Sequence, residues 1–374
     1  MKIVLAFDSF KGSLPADVAC RQAALALAEA LPEATLVEKP LADGGEGTAA
    51  ALLSARGGDW IPCPATGPLP EMTVDAGFAL LPDRETAVVE MASASGLTLL
   101  RPNQRNPLAT TTHGTGELIR AAIERGARRV LLAVGGSATI DGGIGAAHAL
   151  GWRFLDHQDQ ELPPFGGSLP LIASIRTPSP NAMKPESVVV LADVTNPLCG
   201  SAGAARVYGP QKGATPEAVE LLDAGLANLA AHIHHELGVE VLSIPGGGAA
   251  GGLAAGAVAF LGARIARGID TVMDAVALDE SLAGADWVIT GEGSFDAQSL
   301  QGKVVSGVLA RARARGIRVA VLAGRVGLDP DQSRAAGVDY VDGITPPNLA
   351  LADALQQAPH LLHQAVVRFA KECC

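Results

Sequence analysis

Short apolar, β-branched runs alternate with longer alanine- and leucine-rich stretches along almost the whole chain. That is the pattern of an α/β protein with a largely parallel sheet. The runs 2–7 (KIVLAF), 35–39, 285–290, 317–323 and 338–341 are predicted strands; the stretches 15–31, 47–57, 301–316 and 348–370 are predicted helices. Five strands wound in this way fit a flavodoxin-like sheet of order 2-1-3-4-5, provided that everything from about 62 to 284 is an insertion.

The insertion shows its own alternation, with strands predicted near 73–80, 86–92, 129–134, 188–192 and 239–244 and helices near 114–126, 143–151, 216–237 and 250–267. The expected organisation is therefore a discontinuous flavodoxin-like domain, 1–61 with 285–374, carrying an inserted α/β domain, 62–284. The helix at 216 has the clearest start: Thr215 can cap it, Pro216 suits the first helical position, and Glu217 favours the positive end of the dipole. Proline-rich stretches at 62–70 and 163–180 read as connections, and no internal repeat is evident. A length of 374 residues agrees, being too great for one ordinary core.

Composition narrows the partners. With 3% aromatic residues the core must be built from Ala, Leu, Val and Ile. The net charge of -11, without any Lys/Arg cluster, excludes a nucleic-acid backbone as the expected partner, although a small anion needs only a few local cations. Five cysteines without C-x-x-C spacing read as cytosolic thiols, and the chain enters its first strand with no signal segment, so a cytoplasmic location is expected. The most lipid-like stretch, 249–266, is rich in glycine and alanine and reads as a buried helix; no membrane partner is expected.

In an open parallel sheet, ligands bind beyond the carboxyl ends of the strands where the winding reverses, here between the first and third strands. The first strand ends in Asp8-Ser9-Phe10-Lys11-Gly12-Ser13, the third in Thr290-Gly291-Glu292-Gly293-Ser294-Phe295-Asp296, and the second leads into Pro40-Leu41-Ala42-Asp43-Gly44-Gly45-Glu46-Gly47-Thr48. Carboxylates and lysines would face one crevice there. Lys11, Lys212 and Lys303 all stand among glycines and small polar residues, as phosphoryl transfer requires of groups that neutralise phosphate charge. In the insertion, "VGGSATIDGGIGAA" (134–147) and "LADVTNPLCG" (191–200) place Asp141 and Asp193 after apolar strands. Either carboxylate could accept a hydroxyl proton or hold Mg²⁺, and for Asp141 a turn or capping role is an equal alternative.

Competing motifs are weaker. Gly246, Gly248 and Gly251 spell G-x-G-x-x-G with Asp270 downstream, but Pro245 interrupts the approach, so an NAD-dependent dehydrogenase is only a distant alternative to a nucleotide-contacting or close-packed helix start. There is no G-x-x-x-x-G-K-[ST] loop, no protein-kinase motif set and no G-x-S-x-G elbow. "HIHH" (232–235) lacks companions for a metal site and reads as solvated helix histidines.

The motifs "DSFKGSL" (8–14), "LADGGEGT" (41–48), "NPLATTTHGTGELI" (106–119), "GGSATIDGG" (135–143), "DVTNPLCG" (193–200), "GPQKGA" (209–214), "GGGAAGGL" (246–253) and "TGEGSFDAQSLQGK" (290–303) occur in order. Together they resemble the bacterial two-domain glycerate kinases. The resemblance implies a flavodoxin-like domain with an inserted α/β domain, Mg²⁺ with ATP as phosphoryl donor, D-glycerate as acceptor and 2-phosphoglycerate as product. A 3-kinase, or a kinase of a related small hydroxy acid, is the alternative. The family commonly has proline at the positions of Phe7 and Val305, asparagine at Ile140 and arginine at Ser294. Loss of that last cation calls for another arginine or a shifted preference.

On this reading, the cleft between the two domains is the active site. Asp193 is the expected base, Lys11 stabilises the transferring phosphoryl group, and Asp296 is a further catalytic acid. Asp8, Ser9, Asp43 and Arg105 are the expected substrate contacts, with Arg105 suited to pair bidentately with the glycerate carboxylate. Ser137, Thr139, Gly246, Gly248 and Gly251 are nucleotide candidates. Direct metal ligands are unassigned, and a homodimer stays open.

Overall fold

The computed structural model describes residues 1–179, 184–300 and 302–374, so the first residue of the predicted helix 301–316 and the last of the proline-rich connection 163–180 lie outside the described residues. The chain forms two compact units: Met1–Asp43, Ala50–Gly57 and Ile269–Cys374 make the first, and Gly44–Ala49 with Gly58–Gly268 the second.

The first unit is built on a five-stranded parallel sheet whose strands lie side by side in the order Tyr340–Gly343, Arg318–Ala323, Trp287–Thr290, Lys2–Leu5, Thr35–Glu38. That is the expected order 2-1-3-4-5. Ile3 sits opposite both Trp287 and Leu36 in register. Central strands of a sheet covered on both faces must be apolar throughout, and Ile3, Val4 and Leu5 are fully buried. Helix Ala16–Ala30 packs against the long C-terminal helix Leu351–Cys373 on one of these faces. Their buried positions recur at helical spacing, Ala19, Ala23 and Leu27 on the former and Ala358, Leu362, Ala365 and Phe369 on the latter. Small alanines bring the backbones close, while each buried Leu or Phe contributes roughly 1.5–3 kcal/mol.

The second unit holds a six-stranded mixed sheet, ordered Arg264–Ala266, Ser187–Leu191, Arg129–Ala133, Thr86–Glu90, Gly77–Leu80, Asp59–Pro62. The first four strands run parallel and the last two are antiparallel additions at the edge. Helix Pro216–Leu237 starts as its sequence indicates: the Thr215 side chain accepts from the Ala218 N–H at 3.2 Å, and left-handed Gly238 closes the other end.

Three expectations are corrected. Residues 239–244 form no strand; only Val241 of that run is fully buried, within the helix layer, and Leu242 is exposed. The sheet position beside Ser187–Leu191 belongs instead to Arg264–Ala266, a segment of the helix 250–267 expected from the sequence. That helix covers only Leu253–Leu261, because Gly262 turns left-handed and ends it. The run 73–80 is likewise two short strands, Thr73–Val74 and Gly77–Leu80, in different sheets.

Candidate functional site

In the first unit, backbone bonds continue the ladder beyond the strands and bring the three loops together. The Asp8 N–H donates to the Gly291 carbonyl (3.0 Å) and the Leu41 N–H to the Phe7 carbonyl (2.9 Å). The Gly324 and Arg325 N–H groups donate to the carbonyls of Glu292 (3.0 Å) and Gly293 (3.1 Å), adding the loop after the fourth strand. Gly291 is required for this approach, since a Cβ there would lie 1.8 Å from the Leu322 carbonyl oxygen. Gly291→Ala is therefore expected to destabilise the fold by about 3 kcal/mol, read as a lower urea midpoint; an unchanged midpoint would contradict this packing.

These loops line a cavity of about 1110 Å³. Asp8, Ser9, Lys11, Asp43 and Asp296, all expected site residues, border it, together with Glu292, Lys303 and Arg325. Asp8 is buried at the floor, its Oδ1 accepting from the Ser9 N–H at 2.7 Å. Burial, reinforced by the nearby carboxylates of Asp43 and Glu292, raises its pKa to about 7. Glu292 is also pushed upward, first by burial, and its Oε1 lies buried without a hydrogen-bond partner. Asp296 is half-buried and accepts from the Gln298 N–H (2.8 Å) and the Ser294 hydroxyl (3.3 Å). Crowded carboxylates that resist ionisation are the donor set a divalent cation relieves, and Mg²⁺ takes one or two protein carboxylates alongside phosphate and water. Among the described residues no group of three or more His, Cys, Asp or Glu side chains is arranged to hold a metal by itself. The acids therefore fit a cation that arrives with a phosphate ligand.

The other candidates fall in the second unit and form a contiguous set there. Asp193 follows the strand Ser187–Leu191, half-buried, and its Oδ1 accepts from the Gly268 N–H at 3.1 Å. The Gly248 N–H donates to the Asn196 carbonyl at 3.0 Å, and the Gly142 N–H to the Gly251 carbonyl at 3.0 Å, joining the 193–200, 246–252 and 135–143 segments. Gly246, Gly248 and Gly251 are buried, and the space a Cβ would need is taken by the Val194, Pro197 and Thr139 carbonyls. These glycines serve close backbone packing. Without a strand at 239–244, the G-x-G-x-x-G also lacks the strand–loop–helix setting of a dinucleotide site.

Ser137 and Thr139 lie on the loop after the strand Arg129–Ala133; the Thr139 Oγ1 is buried and makes no hydrogen bond. Asp141 takes its alternative role as a turn and helix-start anchor. Its carboxylate accepts from the Thr112 N–H and hydroxyl, both at 2.7 Å, and from the N–H groups of Gly143 (3.0 Å) and Gly145 (3.3 Å), and it is fully buried. Arg105 is half-buried with its Nε unpaired, its backbone packed on left-handed Gly213. The neighbouring Lys212 points inward, and burial lowers its pKa to about 7.

The glycerate kinase family model matches residues 3–373. The chain belongs to the glycerate kinase family. It is accordingly a kinase, a transferase. It is 42% identical to a glycerate kinase of Halalkalibacterium halodurans over 97% of this chain and 96% of that protein. It is also 42% identical to a glycerate 2-kinase of Escherichia coli over 91% and 90%. A crystal structure from Salmonella typhimurium LT2, of a protein described as glycerate kinase 2, superposes with a TM-score of 0.87 at 42% identity, covering 99% of this chain and 97% of that one. Among the described residues no helix is long and apolar enough to cross a membrane.

For this family member, two functional candidates escaped sequence reasoning. Glu292 stood in the "TGEG" loop, and its position just beyond a strand end was an available signal. Arg325 follows the strand Arg318–Ala323 in the same way, and it lies opposite Ser294 in the two-residue ladder Ser294–Phe295/Arg325–Val326, on the same cavity. A cation thus stands beside the position where the family commonly carries arginine. Lys212, expected among the phosphate-neutralising lysines, is instead buried, and no local pattern discloses that it turns inward. Of the other departures, Phe7, Ile140 and Val305 are all fully buried core residues.

Proposed function

We propose that the enzyme transfers the γ-phosphoryl group of Mg–ATP to the 2-hydroxyl of D-glycerate, giving 2-phosphoglycerate and ADP. The observation that carries this reading is the pairing of buried, ionisation-resistant carboxylates with Lys11, Lys303 and Arg325 around one cavity. That combination suits a magnesium-bound polyphosphate, whose cation satisfies the acids while the lysines and arginine neutralise phosphate oxygens. The family membership and the Escherichia coli relative's designation as a glycerate 2-kinase support the choice of acceptor and hydroxyl.

In this proposal Asp193 accepts the proton of the attacking hydroxyl and orients it, Lys11 faces the transferring phosphoryl group, and Arg105 pairs with the glycerate carboxylate. One or two of the carboxylates Asp8, Asp43 and Glu292 would hold the Mg²⁺, which supplies charge neutralisation at the phosphates when bound. Ser9 and Asp296 complete the polar lining. ADP release should require both D-glycerate and Mg–ATP and be far slower with L-glycerate. Equal rates with and without glycerate would overturn the reading.

A further inference from the structure

We propose that Lys212 is a positioning residue that turns the Ser137 hydroxyl proton outward, making Ser137 a hydrogen-bond donor to an anionic oxygen of one co-substrate. The inference rests on the kinase reading above. Lys212 closes the short turn Pro210–Lys212, where its own N–H donates to the Gly209 carbonyl (2.9 Å) and the left-handed Gly213 follows. Only 2% of Lys212 is exposed. Its Nζ donates to the Ser137 Oγ at 2.6 Å and to the Thr139 carbonyl at 2.8 Å.

The direction of the first bond follows from chemistry. The lysine ammonium has only donors, so toward it the Ser137 hydroxyl can only accept. A serine hydroxyl that accepts still owns one proton to donate. Among the described residues no second hydrogen bond engages it, and Ser137 as a residue is 8% exposed, so it is not sealed from a ligand. Donation by a buried cation also polarises the hydroxyl and strengthens its own donation.

The backbone around Ser137 is held by other contacts. The Ala138 N–H donates to the Ser95 carbonyl (2.9 Å) and the Leu97 N–H to the Gly136 carbonyl (2.8 Å). These bonds hold the loop alongside the Lys212–Thr139 contact; what Lys212 adds at Ser137 is the direction of the hydroxyl. The anionic oxygen belongs either to a nucleotide phosphate or to the glycerate carboxylate, and the test separates them.

Ser137→Ala, Lys212→Met, Lys212→Arg and the double variant Ser137→Ala/Lys212→Met should be compared in the full chain by calorimetric Kd and by KM for Mg–ATP and for D-glycerate separately. The Kd and KM of one co-substrate should rise roughly ten- to a hundredfold in both Ser137→Ala and Lys212→Met, with the double variant no weaker than Ser137→Ala and partial recovery in Lys212→Arg. A rise for Mg–ATP assigns a phosphate; a rise for glycerate assigns the carboxylate. Additive losses in the double variant, or no effect of Ser137→Ala on either ligand, would overturn the proposal. Should Lys212→Met fail to fold, Ser137→Thr decides: it should restore the affinity that alanine loses, and behaviour equal to alanine's would overturn it. A wild type that binds both ligands without turnover would count against the proposed reaction alone, because the Kd comparison still decides the role of Lys212.

Discussion

Replacing Asp193 by asparagine is expected to lower kcat by roughly 10²- to 10⁴-fold while leaving Mg–ATP binding unchanged. Asparagine keeps the oxygen that accepts from the Gly268 N–H, so the local hydrogen bond and packing survive. What it loses is the ability to take a proton. In the proposed reaction the attacking hydroxyl must surrender one, and an amide cannot receive it at neutral pH. The comparison is kcat from ADP release beside the calorimetric Kd for Mg–ATP. Near-normal turnover would remove Asp193 from the role of base, and a lost fold or lost nucleotide affinity would assign it a structural one.

Asp8→Asn is expected to make the protein more stable and less active at once. Asp8 has a pKa of about 7 in the folded protein against 3.8 as a free side chain, because burial and the adjoining Asp43 and Glu292 oppose its charge. Between these two values the folded state binds more protons than the unfolded one, so stability falls as pH rises from about 4 to about 7 and the penalty is complete above that. Asparagine removes the ionisation. At pH 8 without metal the variant should be more stable by up to about 3–4 kcal/mol, and the advantage should vanish near pH 4. Denaturant midpoints of both proteins in chelator at pH 4.5, 6 and 8 would show this as a widening gap. A pH-independent gap would contradict it. The same substitution should lower turnover, since a strained acid at the cavity floor is stored for a positively charged ligand.

Much of this architecture is legible in the chain because it is written in local periodicity. The five strands of the first unit appear as β-branched runs, and the order 2-1-3-4-5 follows from their connections. The helix Pro216–Leu237 is legible to the residue because its cap, its proline and its terminal glycine are all local signals. Where burial depends on distant partners, the pattern misleads. The run 239–244 has strand composition but no sheet neighbour, since Arg264–Ala266, a short segment with arginine at its head, occupies the place beside Ser187–Leu191.

The candidate site divides along the same line. Strand-end rules locate Asp8, Lys11, Asp43 and Asp296, which do share one cavity. They also point to Asp193, which follows the strand Ser187–Leu191 of the second unit. They do not reveal that the space a Cβ would need at Gly246, Gly248 and Gly251 is taken by neighbouring carbonyls, that Asp141 is engaged by the Thr112 hydroxyl and by backbone donors, or that Lys212 is buried against Ser137. Each of those facts depends on contacts between segments about 30 to 110 residues apart, or on the tight geometry of one turn, and periodicity carries neither.

The most direct test of the central claim is ³¹P NMR of the purified protein with Mg–ATP and D-glycerate, with L-glycerate as the control. The account predicts loss of the γ-phosphate signal and a new phosphomonoester resonance matching 2-phosphoglycerate, with D-glycerate only. A resonance matching 3-phosphoglycerate would keep the kinase and overturn the hydroxyl assignment. ATP left intact in the presence of D-glycerate would contradict the proposed reaction itself.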